Sequence, residues 1–209
     1  MPYPVTVTVK TQVENRNRLT TAFRMILFLP HAILVGGVAI GFVFGGNDQR
    51  AHASGETGLL GAVAAFLAIV SWFTILIAGS HIPGIRQFTA YYLRWRTRAL
   101  AYLMLLTDDY PPFGDAPYPA SLEVADPAGP RDRLTVALRF LLAFPHFIVL
   151  TFVMLGWCVA TVVAWFAILF TGAYPPGLVN FSAGALRWRL RVEAYVLLMV
   201  DPYPPFSLD

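Results

Sequence analysis

The chain contains two copies of one sequence pattern, and this repeat constrains its fold more than any other feature. Trp72 to Phe113 aligns without a gap with Trp165 to Phe206 at an offset of 93 residues, with 22 of 42 positions identical. Upstream, Arg18 to Val35 aligns with Arg133 to Leu150 at an offset of 115, with 9 of 18 identical. The difference, 115 − 93 = 22, corresponds to a 22-residue insertion in the first copy. Since repeated sequences form repeated structural units, we predict two equivalent units.

The repeat also predicts the domain boundaries. The first unit covers residues 1–113, residues 114–117 form a linker, and the second unit covers residues 118–209. The insertion in the first unit includes a polar loop at residues 45–58.

Each unit opens with a short alternation of polar and apolar residues, Val5 to Val9 in the first and Ala120 to Val124 in the second. Such alternation predicts half-buried strands. Because a five-residue strand is not stable alone, we expect these two to pair with each other, with the C-terminal tails of the units or with another subunit. The alternative is an extended arm on a membrane surface.

Composition indicates a membrane protein. Hydrophobic residues make up 57% of the chain and charged residues 13%, whereas soluble proteins carry about 25% charged residues. The N-terminus alternates like a strand and lacks the basic and apolar regions of a cleavable signal, so we expect insertion through the first internal helix. The single cysteine, Cys158, lies in an apolar run and excludes an intramolecular disulfide.

Two apolar segments in the first unit, Leu19 to Phe44 and Leu59 to Ala78, are each long enough to cross a membrane and predict a transmembrane hairpin. In the second unit, Leu134 to Thr171 would form a helix of roughly 57 Å, nearly twice the thickness of the hydrocarbon core. We therefore predict a tight hairpin that turns near Leu155 and Gly156. The competing prediction is a single crossing with a kink at Pro145.

The positions of the basic residues predict the topology. Of 15 basic residues, 14 flank the predicted hairpins, and only Arg50 lies in a loop between two spans. By the positive-inside rule the 14 residues face the cytoplasm, together with both termini and the linker. Both units then have the same topology, in a multi-pass protein of the inner membrane.

The third segment of each unit, Ile85 to Leu106 or Leu178 to Val200, carries three arginines near its middle. Because unpaired arginines are costly at a bilayer centre, we predict amphipathic helices in the headgroup region that bind anionic lipid. The alternatives are a topology signal without a ligand and a charged site between subunits. The predicted lipid-binding or anion-binding residues are Arg94, Arg96, Arg98, Arg187, Arg189, Arg191, Trp95 and Trp188.

A proline and a histidine recur inside the apolar segments, as Pro30 and His31 and again as Pro145 and His146. A proline frees a carbonyl one turn earlier, so the histidine is expected to support a kink by hydrogen bonding. A proton, haem or metal role for His31 and His146 is the alternative, but no carboxylate lies beside them in the sequence. We predict no cofactor, no metal and no catalytic residue.

Several stretches of the second unit resemble the bacterial membrane-protein family DUF4389, a domain of unknown function. They are Arg-Leu-Thr at 133–135, Phe-Pro-His-Phe-Ile-Val-Leu at 144–150, Tyr-Pro-Pro-Gly-Leu at 174–178, Leu-Arg-Trp-Arg-Leu-Arg-Val-Glu-Ala-Tyr at 186–195 and Tyr-Pro-Pro-Phe at 203–206. The first unit matches more loosely. The resemblance implies an inner-membrane protein with tandem copies and implies no activity, cofactor or site.

The expected fold is therefore an all-α membrane protein of two repeated units, each with a short strand, a transmembrane helical hairpin and an arginine-rich interfacial helix. The expected function is a non-catalytic scaffold or accessory subunit that contacts anionic lipid and a protein partner or a second copy of itself. The alternative is a small transporter, channel or proton-conducting protein that uses His31 and His146. Nothing in the sequence indicates binding to nucleic acid.

Overall fold

The computed structural model describes residues 3–37, 49–127, 129 and 131–209, and of residues 49–57 only the backbone. Within these residues the chain is mostly helical. Its elements, in order, are β1 (Val5–Val9), α1 (Arg18–Ala22), α2 (Arg24–Val35), α3 (Gln49–Ala78), α4 (Pro83–Leu103), β2 (Ala120–Val124), α5 (Arg133–Ala137), α6 (Arg139–Thr171) and α7 (Pro176–Val196).

The two strands have the bounds that the alternation predicts, and they pair with each other. β1 and β2 form an antiparallel ribbon in which Val7 lies opposite Leu122 at the centre. Apolar side chains of both strands point inward, so Val7 and Leu122 are buried while Thr6 and Glu123 are exposed. The ribbon joins the beginning of one unit to the beginning of the other.

The second unit contains one long helix rather than a hairpin. α6 runs from Arg139 to Thr171 over 33 residues, about 50 Å, and passes through Leu155 and Gly156 without a turn. The predicted tight hairpin is therefore wrong. A Cβ on Gly156 would lie 3.4 Å from the Phe181 ring, so this glycine allows close packing of α6 on α7 instead of forming a turn.

The first unit contains the same long helix, interrupted by the insertion. α2 ends at Val35, and the helix resumes at Gly58, where φ is 66°. A Cβ on Gly58 would lie only 2.4 Å from the amide nitrogen of Gly36, so the chain leaves and rejoins this helix at one point. The structure does not describe residues 38–48, so it does not test the predicted helix over 38–44 or the first part of the predicted loop 45–58. The later part of that loop, residues 49–57, is helical.

The long helices of the two units run in opposite directions. In the first unit, α2 begins beside Asp108, which binds Arg24. The end of α3 contacts the second unit, where Trp72 Nε1 donates a 2.9 Å hydrogen bond to the carbonyl of Val136. α6 begins beside Asp201, which binds Arg139, and its last third returns to the first unit, where Trp165 donates to the carbonyl of Thr21 at 2.9 Å.

The units are therefore related by a pseudo-twofold axis, and their long helices are antiparallel. This axis passes through the Val7–Leu122 pair, because those two residues occupy equivalent positions in the units and lie opposite each other. Such an axis gives both units the same topology when it lies along the membrane normal and opposite topologies when it lies in the membrane plane, so equal topology stays a prediction. The molecule has two ends, named here the Asp108 end and the Asp201 end after the residues where α4 and α7 finish.

The arginine-rich helices form the middle of the molecule. α4 and α7 pack on each other, and 12 of the 21 residues of α4 are buried. β2 packs on α4 and β1 packs on α7, whereas α2 packs on another side of α4, where Trp95 and Tyr102 lie about 110° around the helix from Ala90 and Arg94. The layers are thus the ribbon, the α4–α7 pair and the two long helices.

The long helices are the most apolar and the least buried elements. Gly58–Ala78 and Arg139–Thr171 each have a mean hydropathy of 2.4 in their most apolar window, and only 22% and 28% of these windows is buried. Both helices are long and apolar enough to cross a membrane. Large apolar side chains, such as Phe66, Phe152 and Phe170, are at least 65% exposed along them.

Deleting residues 36–57 joins Val35 to Gly58, just as Leu150 is joined to Thr151 in the second unit. We expect this variant to fold with a melting temperature close to that of the wild type, because glycine at position 58 adopts helical angles without steric cost. Circular dichroism of the protein purified in detergent measures both helicity and melting. Removal of an equally long segment of α6, residues 151–172, is the control, and a deletion of 36–57 that melts as low as this control would contradict the model of an interrupted helix.

Candidate functional site

A buried cluster of two arginines and one aspartate lies at the end of α4. Arg16 donates to Asp108 Oδ1 from Nη2 at 2.7 Å, and Arg24 donates to the same oxygen from Nη2 at 2.7 Å. The amide of Asn17 donates to Asp108 Oδ2 at 2.7 Å. The side chains of Arg16 and Arg24 are 0% and 2% exposed, so one carboxylate balances two desolvated guanidinium groups.

The second unit repeats this cluster with equivalent residues. Arg131 and Arg139 lie 2.7 and 2.9 Å from Asp201 Oδ1. Arg139 also stacks on the Tyr195 ring at 4.1 Å, as Arg24 stacks on Tyr102 at 4.1 Å. Such a guanidinium over an aromatic face is attractive because the ring carries negative charge density on its face.

Each cluster closes the C-terminus of a central helix. Leu105 and Leu198 follow α4 and α7 with φ of 62°, a left-handed conformation that costs roughly 1–2 kcal/mol for a residue with a side chain. Arg16 donates to the carbonyl of Leu105 at 2.6 Å, and Arg131 donates to that of Leu198 at 2.8 Å. These guanidinium groups satisfy carbonyls that a helix end leaves without partners and oppose its negative dipole.

The electrostatics of the cluster keep the aspartate ionised. Burial by itself raises the pKa of Asp108, but the hydrogen bonds from Arg16 and the Asn17 amide, with the charges of Arg16 and Arg24, outweigh it and hold the pKa below its ordinary value.

The two predicted histidines lie in separate, equivalent aromatic boxes. His31 is fully buried, accepts a 3.0 Å hydrogen bond at Nδ1 from Trp95 Nε1, and stacks on Phe113 at 4.5 Å between ring centroids. His146 likewise accepts from Trp188 at 3.2 Å. A nitrogen that accepts a hydrogen bond carries no proton, so Nδ1 of each ring is unprotonated.

The boxes also explain the conformation of the tails. Tyr203 and Phe206 of the final Tyr-Pro-Pro-Phe segment pack on His146 at centroid distances of 4.9 and 3.9 Å. The prolines end the helix and direct the chain back over the histidine, so one side of each tail covers the histidine while its aromatic residues stay 43–58% exposed. Within the described residues, no group of three or more His, Cys, Asp or Glu side chains is placed to hold a metal ion.

Four of the predicted lipid-binding residues lie inside the protein. Trp95 and Trp188 are 7% and 5% exposed and donate to the histidines. Arg96 is 1% exposed, donates to the carbonyl of Val35 and lies 3.0 Å from the Glu193 carboxylate. Arg98 is 7% exposed.

Arg94 and Arg98 share one carboxylate near the surface. Arg94 Nη2 donates to Asp115 Oδ2 at 2.7 Å, and Arg98 Nη2 donates to Oδ1 at 2.8 Å. Arg98 also donates to the carbonyl of Gly114. Hydrogen bonds from Arg94 are the main reason that the pKa of Asp115 lies below its ordinary value. Two arginines one helical turn apart thus chelate a single anionic group.

The equivalent arginines of the second unit, Arg187 and Arg191, have no such carboxylate. The residue at the position of Asp115 is Leu208, by the offset of 93. Among the described residues neither arginine forms a salt bridge, and Arg191 Nε is buried without a hydrogen-bond partner. The nearby Asp209 carboxylate accepts instead from the Ser207 hydroxyl at 2.8 Å. Burial and the charge of Arg187 lower the pKa of the Arg191 guanidinium.

Sequence reasoning missed the two buried clusters, although a signal was present. Their members recur at the offsets of the repeat, with Arg16 and Arg24 matching Arg131 and Arg139 at 115, and Asp108 matching Asp201 at 93. A charge that recurs in an otherwise apolar pattern indicates a buried pair.

Comparison with known proteins gives one match. A family model described as "Domain of unknown function (DUF4389)" matches residues 57–114 and 133–207, two segments that are consistent with a tandem duplication. Searches of curated proteins and of solved structures found no match.

Replacing Asp108 with Asn should lower the free energy of unfolding by about 3–5 kcal/mol, because two buried guanidinium groups lose their counter-charge. Denaturant unfolding in detergent measures the loss, and Asp201→Asn should behave alike. Asp109→Asn is the matched control, since Asp109 is exposed and its side chain forms no hydrogen bond or salt bridge. Equal stability of the Asp108 and Asp109 variants would contradict a structural role for the cluster.

Acid should weaken the protein through the same carboxylate. The pKa of Asp108 is lower in the folded protein than its ordinary value of 3.8, so its contribution is complete above 3.8 and is lost as the pH falls through the folded value. We expect the unfolding free energy to fall as the pH is lowered past 3.8, and to fall less in Asp108→Asn. An identical pH dependence in both proteins would show that the pKa of Asp108 is not lowered by folding.

Proposed function

Because the chain belongs to the DUF4389 family, whose description assigns no activity, we propose a function from its geometry: a non-catalytic membrane scaffold that holds an anionic lipid headgroup between Arg187 and Arg191. The difference between the two units carries this proposal. In the first unit Arg94 and Arg98 chelate Asp115, and in the second unit the same pair of arginines has a leucine in place of that aspartate. The chain itself thus supplies an example of the ligand that this pair binds.

A phosphate fits this pair because of its shape and charge. A phosphate offers the same two acceptor oxygens as a carboxylate, and arginine binds both groups through paired hydrogen bonds. Arg189, which donates to Met154 Sδ of α6 at 3.4 Å, lies about 200° around α7 from Arg187, so the pair is on the face of α7 that points away from the long apolar helix.

The other polar groups support a scaffold role. The Asp108 and Asp201 clusters close helix ends, and the histidines accept hydrogen bonds from tryptophans. The alternative of a transporter or channel would require His31 and His146 to line one path, whereas each packs in the aromatic box of its own unit. A partner protein or a second copy remains part of the proposal, without assigned residues.

Exchanging the residues that distinguish the units should move the lipid site. Leu208→Asp places a carboxylate beside Arg187 and Arg191 and should reduce phosphatidylglycerol binding at least ~10-fold, since each charge-assisted hydrogen bond contributes about 1.5–3 kcal/mol. Asp115→Leu should add a second site. Native mass spectrometry counts bound phosphatidylglycerol on the detergent-purified protein, with phosphatidylcholine as the neutral reference.

The double variant Arg187→Gln/Arg191→Gln should lose the lipid as well. Arg94→Gln/Arg98→Gln is its matched control and should keep the lipid, because that pair already binds Asp115. If inorganic phosphate displaced the lipid at equal concentration, the site would belong to a soluble anion and the lipid role would be wrong. If both double variants bound phosphatidylglycerol like the wild type, the site itself would be wrong.

A further inference from the structure

The exposed faces of the two long helices are apolar from end to end. On α6 the large exposed side chains begin at Phe140, 60% exposed, and continue to Phe170, 77% exposed. The combined α2 and α3 helix has an equivalent row, from Met25 at 65% to Ile77 at 78%. Both rows lie on helices that pack on the α4–α7 pair, as the ribbon does from another side, and they need an apolar partner along their whole length.

The length of these rows fits poorly with a helix that stands upright in a bilayer. α6 has 33 residues and measures about 50 Å, whereas the hydrocarbon core is about 30 Å thick. An upright α6 would leave roughly 20 Å of exposed phenylalanine and leucine outside the hydrocarbon. A helix that lies in the plane of the membrane has no such limit on its length.

The polar face of the molecule leads to the same conclusion. The pseudo-twofold axis passes through the Val7–Leu122 pair, so the ribbon lies midway between the Asp108 end and the Asp201 end. In an upright molecule the exposed Thr6 and Glu123 of the ribbon would lie at the centre of the bilayer. A charged group at that depth costs about 2.5–3.5 kcal/mol on insertion scales. With the long helices in the plane, the ribbon faces water.

Eight of the 15 basic residues lie at the two ends of the molecule, and these eight are divided equally. Four lie at the Asp108 end and four at the Asp201 end, namely Lys10, Arg16, Arg18 and Arg24, and Arg86, Arg131, Arg133 and Arg139. An upright molecule would place four on each side of the membrane, which contradicts the positive-inside rule. An in-plane molecule keeps all eight on one side.

We propose that this protein is embedded in a single leaflet, with its two long helices parallel to the membrane plane and its ribbon facing the cytoplasm. The occupant of the apolar face is the hydrocarbon interior of that leaflet. The pseudo-twofold axis is then the membrane normal, and both units meet the membrane in the same way. The placement depends on the membrane association in the proposed function and is independent of the site at Arg187 and Arg191.

Cysteine labelling at two equivalent positions tests which side each end faces. In a Cys158→Ala background, Glu14→Cys marks the Asp108 end, and its counterpart Gly129→Cys marks the Asp201 end; both residues are exposed. A membrane-impermeant maleimide added to intact cells should label neither residue, and after permeabilisation it should label both. Labelling of one of the two residues in intact cells would overturn the proposal, because an upright molecule has its ends on opposite sides.

Depth measurements test the orientation directly. Phe144, Leu155 and Phe166 lie on the same exposed face of α6 at intervals of 11 residues, or about 16 Å. Each is replaced in turn by a cysteine that carries a nitroxide label. In vesicles of phosphatidylcholine and phosphatidylglycerol, accessibility to oxygen and to a soluble nickel chelate should give the same depth for all three. A depth that changes by about 16 Å from one label to the next would show an upright helix.

A flotation assay with the same vesicles separates this inference from the proposed function. Protein that does not float with vesicles would contradict both. Protein that floats and keeps its phosphatidylglycerol site, but shows graded label depths, would contradict only the in-plane placement. Equal depths together with unchanged lipid binding in Arg187→Gln/Arg191→Gln would support the placement and contradict only the lipid site.

Discussion

The shared carboxylate between two buried arginines is the interaction on which the rest of the structure depends. Asp108 and Asp201 each bind two arginines, one that precedes the long helix and one in its first turn. Each aspartate thereby holds both arginines against the end of a central helix. The cluster thus fixes where the long helix starts relative to α4 or α7. The guanidinium groups also satisfy helix-end carbonyls, so these charged groups lie inside the protein and the outer layer can be apolar.

This arrangement explains why the arginine-rich helices are central and the apolar helices are peripheral. In a soluble protein the order is reversed, because water solvates the charged groups outside. Here Arg96 of α4 forms a salt bridge with Glu193 of α7, so the charges at the contact of these helices balance each other. Trp95 of α4 donates a hydrogen bond to His31 of α2. The apolar surface that remains outside is the part of the protein suited to lipid.

The duplication gives the molecule its shape, and divergence between the copies gives it a candidate site. The ribbon forces the two units to run in opposite directions, which places equivalent groups at both ends. One position, Asp115 in the first unit and Leu208 in the second, then separates a closed arginine pair from an open one. The insertion before Gly58 is the other large difference, and it leaves the long helix of the first unit in its place.

The sequence by itself determined the repeat, the two strands and the membrane character, because these follow from alignment, alternation and composition, which are local or additive properties. Only the tertiary structure decided that Leu134 to Thr171 holds one long helix without a hairpin, that the long helices of the two units are antiparallel, and which arginines are paired. Those outcomes depend on contacts between distant residues, such as Arg16 with Asp108 and Val7 with Leu122, and a linear pattern does not encode which partner each charge or strand will meet.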